Sequence, residues 1–98
     1  MKVIWTPRAQ QRLQEIQAYI ARDQPDNAVR WVARVLDRGE QIGDQPRSGR
    51  VVPEYQREAI REVFVGDYRI IYRIRSQQLD ILTVRHGAQT LPKTTRKL

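Results

Sequence analysis

The chain has no cysteine, which removes disulfides, zinc fingers, iron–sulfur clusters and thiol nucleophiles together. It has one histidine, His86, which excludes a multi-histidine metal centre within one chain, and no cofactor is expected. No apolar run approaches the ~20 residues needed to cross a bilayer. The first residues, Met1 to Pro7, turn polar too soon for a signal peptide. A soluble, cytoplasmic chain is the expectation. Lysine is scarce too, with Lys2, Lys93 and Lys97 the only examples. A length of 98 residues allows one domain with one core, 1–98, and no separate regulatory module.

The positive charge is therefore arginine. Fifteen arginines and three lysines against 11 acidic residues give a formal charge of +7. The excess is uneven, since residues 1–45 carry about one net positive charge and 46–98 carry the rest. Guanidinium groups fork onto carboxylates and phosphates and stack on flat surfaces. A basic half of this kind points to an acidic or polyanionic partner, or serves only solubility.

Hydrophobic spacing organises the chain. Lys2 to Trp5 reads as a short strand. Thr6-Pro7 then supplies an N-cap and a proline at the first helical position. Ala9, Leu13, Ile16 and Ile20 recur at helical spacing and predict an amphipathic helix. The break at Asp23 to Asn27 opens a second helix, with its apolar stripe at Ala28, Trp31, Val32, Val35, Leu36 and Ile42. Gly39 on that face is expected to admit the neighbouring helix, and Gly43 to end the segment. So short a connection makes the pair an antiparallel hairpin. Residues 44–58 read as a loop, with extended structure at Val51-Val52.

From Ile60 the period becomes 2. Ile60 to Val65, Tyr68 to Arg75 and Leu79 to His86 read as strands, separated by turns at Gly66-Asp67 and Ser76 to Gln78. The tail, 87–98, shows no period and is expected to be a loosely ordered basic end. Placing Val65 opposite Tyr68 and Arg75 opposite Gln78 sorts the side chains into two faces. One collects Val63, Val65, Ile70, Tyr72, Ile74, Leu79 and Ile81, and suits cover by the helices. The other collects Glu62, Phe64, Arg69, Ile71, Arg73, Leu82 and Val84. A slip of one residue would exchange the faces.

That second face is too apolar for open solvent, yet arginines stand among its hydrophobes. Either Arg69 is an internal strut held by Glu62 and backbone carbonyls, or the face is a surface that a partner finishes burying. The second reading accounts for both the hydrophobes and the charges. It makes Arg61, Phe64, Arg69, Ile71, Arg73, Leu82 and Val84 candidate partner-binding residues.

Several strings in this order are distinctive. They are Tyr19-Ile20-Ala21-Arg22-Asp23 with Pro25 and Ala28, Pro46-Arg47-Ser48-Gly49-Arg50, and Ile60-Arg61-Glu62-Val63. Further on come Tyr68-Arg69-Ile70-Ile71-Tyr72-Arg73 and Leu82-Thr83-Val84-Arg85-His86-Gly87. Over nearly its whole length the chain resembles the RelE/ParE superfamily of toxins from type II toxin–antitoxin systems. The resemblance implies an α+β fold in which a short N-terminal strand and a mainly antiparallel sheet carry an antiparallel two-helix hairpin. It also implies a cognate acidic antitoxin that wraps the toxin, and a role in growth arrest and plasmid stabilisation.

The superfamily divides by mechanism. RelE-like members cut mRNA on the ribosome, with cations stabilising the phosphate and a proton-moving side chain nearby. Such chemistry would fall here to Arg69, Arg85 and His86. The late tyrosine of many nuclease members is missing, because Tyr72 is the last in the chain, and no lysine cluster follows the second helix. The chain is more similar to the ParE branch, which inhibits DNA gyrase by protein–protein contact without enzymatic chemistry. A ribosome-dependent endoribonuclease is the alternative. A non-toxic interaction or nucleic-acid-binding domain on the same fold is the third reading.

Overall fold

The computed structural model describes residues 1–98. Strand β1 (Lys2–Trp5) leads into helices α1 (Pro7–Ala21) and α2 (Pro25–Asp44). Strands β2 (Arg50–Val51), β3 (Ile60–Val65), β4 (Tyr68–Ile74) and β5 (Gln78–His86) follow. The sheet order is β1-β5-β4-β3-β2. β1 runs parallel to β5 and every other neighbour is antiparallel. The α+β architecture expected from the sequence is the one observed, with β1 and β2 as short edges added to the meander.

Local chemistry explains the helix starts. Thr6 is the N-cap of α1, its hydroxyl accepting from the Ala9 N–H at 3.1 Å and donating to the Ile81 carbonyl at 2.9 Å. One side chain thus satisfies a helix terminus and ties it to β5. Pro7 and Pro25 occupy the first positions of α1 and α2, where a missing N–H is harmless. α2 passes Gly43 and ends at Asp44. Gly39 admits Trp5 of β1 rather than α1, since a Cβ there would lie 3.1 Å from the indole.

The hairpin covers one face of the sheet. Ala9, Ile16, Trp31, Val35 and Ile42 pack on Val63, Val65, Ile70, Tyr72, Leu79 and Ile81. The register of β3 and β4 is the expected one, Val65 opposite Tyr68. Between β4 and β5 the expected register holds from the turn to Tyr72 opposite Ile81, and then a bulge intervenes, so that Ile71 pairs with Thr83. Leu82 is the extra residue. Beyond it every side chain of β5 changes face, as a one-residue insertion requires. Val84 therefore lies in the helix-covered core, which corrects its placement on the second face, and Thr83 and Arg85 take the positions beyond Leu82.

The chain also covers much of the second face itself. Val52, Ile60, Ile71, Leu91 and Leu98 form a separate buried cluster, with Tyr55 and Leu82 against it. Leu91 and Leu98 come from the segment expected to be loose. Instead, Tyr55 donates to the Pro92 carbonyl at 2.7 Å, and Arg8 donates to the Lys97 and Leu98 carbonyls at 2.9 and 2.7 Å. Two leucines among polar neighbours suffice to fold the tail back, each removing apolar area from water.

Candidate functional site

Arg69 occupies the centre of the second face, at 4% exposure. Its guanidinium donates to Glu62 at 2.8 Å and to both Glu54 carboxylate oxygens, at 2.6 and 3.2 Å. Glu62, 1% exposed, accepts in turn from Arg50 at 2.7 Å. The result is an alternating run, Arg50–Glu62–Arg69–Glu54, stitched across β2, β3, β4 and the loop after β2. The pairing raises the Arg69 value further, through its bonds to Glu54 first and Glu62 next, against the opposing effect of burial. It holds the Glu54 carboxyl below its ordinary value, the Arg69 bond being the main cause.

Of the two readings of Arg69, the geometry is that of the internal strut, and the surface reading is corrected for this residue. Its carboxylate partners are Glu62, which the sequence suggested, and Glu54, which the sequence did not suggest.

Arg61 is a strut as well. It donates to the Gly49 and Glu58 carbonyls at 2.9 and 3.0 Å and to the Glu58 carboxylate at 2.7 Å. These bonds hold the loop from Gly49 to Glu58 against β3. The same corner is closed by Tyr72, whose hydroxyl donates to the Pro46 carbonyl at 2.7 Å and accepts from the Gly49 N–H at 3.1 Å. A Cβ on Gly49 would lie 2.4 Å from that hydroxyl oxygen. The Pro46–Arg50 string is thus a fitted closure between α2 and β2.

Ile71 and Val84 are fully buried, so neither can meet a partner in this state. Phe64 remains open at 48% exposure, with the Arg50 guanidinium 5.5 Å from its ring centroid. Leu82 and Arg73 are half-buried. Arg73 stands opposite Asp80 in the register, but Asp80 is held by Arg75 and Gln78 at 2.5 and 2.7 Å. The Arg73 side chain makes no hydrogen bond or ion pair within the chain.

Arg85 and His86 close the strand. Arg85 is half-buried with no acid beside it, and its Nε is shielded from solvent without an acceptor. Burial pulls its value down, and the neighbouring charges of Arg12, Arg8 and Arg69 act in the same direction. His86 is exposed, its Nδ1 accepting from the Ala88 N–H at 3.1 Å while its ring stands edge-on to Tyr68. Arg69, Arg85 and His86 thus share β4 and β5, but the first is neutralised by two carboxylates and the third is bound to its own turn. No group of three or more His, Asp or Glu side chains is placed to hold a metal ion. No helix is long and apolar enough to cross a membrane.

Sequence reasoning missed Glu54, Tyr55, Leu91 and Leu98. A carboxylate and an aromatic after Val52-Pro53 were the signals for the first pair. Apolar residues isolated in a basic tail were the signal for the second.

A helical hairpin on one side of a five-stranded sheet, with an internally paired arginine on the other, defines a class of small α+β domain. The same fold occurs in the solved structure titled "Chromosomal ParDE TA system from P. aeruginosa". That match has a TM-score of 0.75 and 17% identity, and covers 88% of this chain and 95% of that one. A Sinorhizobium fredii (strain NBRC 101917 / NGR234) protein named "Putative toxin Y4kP" is 42% identical over 94 residues, 94% of each chain. Residues 3–91 match the family model described as ParE toxin of type II toxin-antitoxin system, parDE. The chain belongs to the ParE toxin family.

Proposed function

We propose that this ParE-family toxin acts in the cytoplasm by inhibiting DNA gyrase through protein–protein contact, and that a cognate acidic antitoxin silences it. The observation that carries this reading is the state of Arg69. A phosphate-cleaving site needs free cationic groups around the reacting phosphorus and a proton-transferring side chain in reach. Here the two terminal nitrogens of the central guanidinium are paired with Glu54 and Glu62, and Nδ1 of His86 accepts from the Ala88 N–H. Phe64, Leu82 and Arg73 remain open beside it, with the apolar and charged character of an interface. The charge of +7 suits an acidic antitoxin.

Induced expression of the chain should arrest growth, and co-expression of the antitoxin should relieve the arrest. Absence of arrest would favour the non-toxic interaction domain. Purified protein should inhibit gyrase supercoiling and leave mRNA intact in a translating extract.

A further inference from the structure

Where the tail folds back, it leaves a cleft of about 250 Å³ between α1, β4, β5 and the turn Thr95–Lys97. Three arginines, Arg8, Arg73 and Arg96, line it with the hydroxyls of Thr6 and Thr95, and no acidic side chain does. A second cavity shares Arg73, Thr95 and Arg96 with the first and adds Arg57, Lys93 and Thr94. Its one acid is Glu54, already held by Arg69. The two cavities make a continuous track of five cationic side chains. The side chains of Arg57, Arg73, Lys93 and Arg96 make no hydrogen bond or ion pair within the chain, and that of Arg8 uses only one terminal nitrogen. The half-buried Arg85, also unpaired, adds to the positive field near Arg8.

We propose that this track binds the phosphodiester backbone of a nucleic acid strand, as a direct contact separate from the gyrase reading. Its chemistry is that of phosphate recognition. Its charged side chains are guanidinium and ammonium donors, apart from Glu54, which Arg69 already holds. Its hydrophobic side chains are few: Leu82 and Tyr55 are half-buried and Leu98 is buried. An acidic peptide would need aliphatic anchors as well as carboxylate seats, and the track supplies few. Sequence readout is not expected, since no side chain is arranged to address base edges.

The test is fluorescence anisotropy of the antitoxin-free protein with a labelled mixed-sequence strand of about 12 nucleotides, as single strand and as duplex. With four phosphate contacts, raising salt from about 50 to about 200 mM weakens binding about 10²-fold. R73A/R96A should weaken binding at least about tenfold and lower the salt slope by about two. R30A/R34A removes the same charge from the exposed outer side of α2 and should leave the slope unchanged. Both variants are checked for native circular dichroism, and the single variants R73A and R96A carry the test if the double one unfolds. Four results would overturn the proposal: no strand or duplex bound at low salt, equal weakening by both double variants, binding of inorganic phosphate with no gain for a strand, or preference for a Glu-rich peptide.

Discussion

Arg69 and Arg85 stand opposite each other across β4 and β5, two like charges in one cross-strand pair with contrasting surroundings. Arg69 has Glu54 and Glu62; Arg85 has no counter-ion. Like charges directly opposite destabilise a sheet, so the carboxylates around Arg69 are what make the pair tolerable. Substitution should separate the two roles. Arg69→Met leaves the buried Glu62 with only the more exposed Arg50 as partner and should cost about 3–5 kcal/mol in urea unfolding. Arg85→Met removes an uncompensated charge and should leave the midpoint unchanged or raise it. Equal losses from both would show that Arg85 has a partner of its own.

Stability should depend on acid through Glu54. Arg69 holds this carboxyl below its ordinary 4.5. A depressed folded-state value contributes stability that is complete above about 4.5 and is lost as pH falls through the folded value. The urea midpoint of the native chain should therefore drop more on acidification than that of Glu54→Gln. The difference should be small and shrink with salt, because the Glu54 side chain is 41% exposed. Parallel pH profiles would remove Glu54 from the network.

The closure at Gly49 is testable by adding one methyl group. Gly49→Ala places a Cβ 2.4 Å from the Tyr72 hydroxyl oxygen and 2.7 Å from the Glu62 carbonyl oxygen. Overpacking of this kind costs about 1–3 kcal/mol. Tyr72→Phe, which leaves the Gly49 N–H and Pro46 carbonyl without a partner, should cost about as much. Additive losses in the double variant would mean that the two residues do not share one interaction.

The bulge at Leu82 also has a direct test. Val84 is in the helix-covered core, and burying a valine contributes about 1.5–3 kcal/mol. Val84→Ala should lose a comparable amount, and Val84→Asp should prevent folding. Leu82→Ala should cost less, because Leu82 is half-buried. The reverse ranking would place β5 in the unbulged register.

Both helices, the β3–β4 register and the helix-facing residues from Val63 to Ile81 were legible because periodicity and turn spacing state them. The bulge was not. Leu82-Thr83-Val84 alternates acceptably in either register, and the bulge is favoured only once Val84 meets the hairpin and Leu82 meets the cluster around Ile71 and Leu98. The strut at Arg69 was half legible, since Glu62 is its diagonal neighbour on β3. Glu54 reaches it from a loop whose path no local pattern encodes. Tail docking depends on Leu91 and Leu98 finding Ile60 and Ile71, contacts too far apart in sequence for a short window to show. The open face inferred from the sequence is accordingly smaller in the structure, reduced to Phe64, Leu82, Arg73 and the basic cleft.

The claim that this toxin works by contact and not by cleaving phosphodiesters is tested most directly with wild type and His86→Ala side by side, measuring gyrase supercoiling and mRNA integrity in a translating extract. Both proteins should inhibit supercoiling to the same degree and leave mRNA full length. Degraded mRNA and normal supercoiling with the wild type, abolished by His86→Ala, would contradict it.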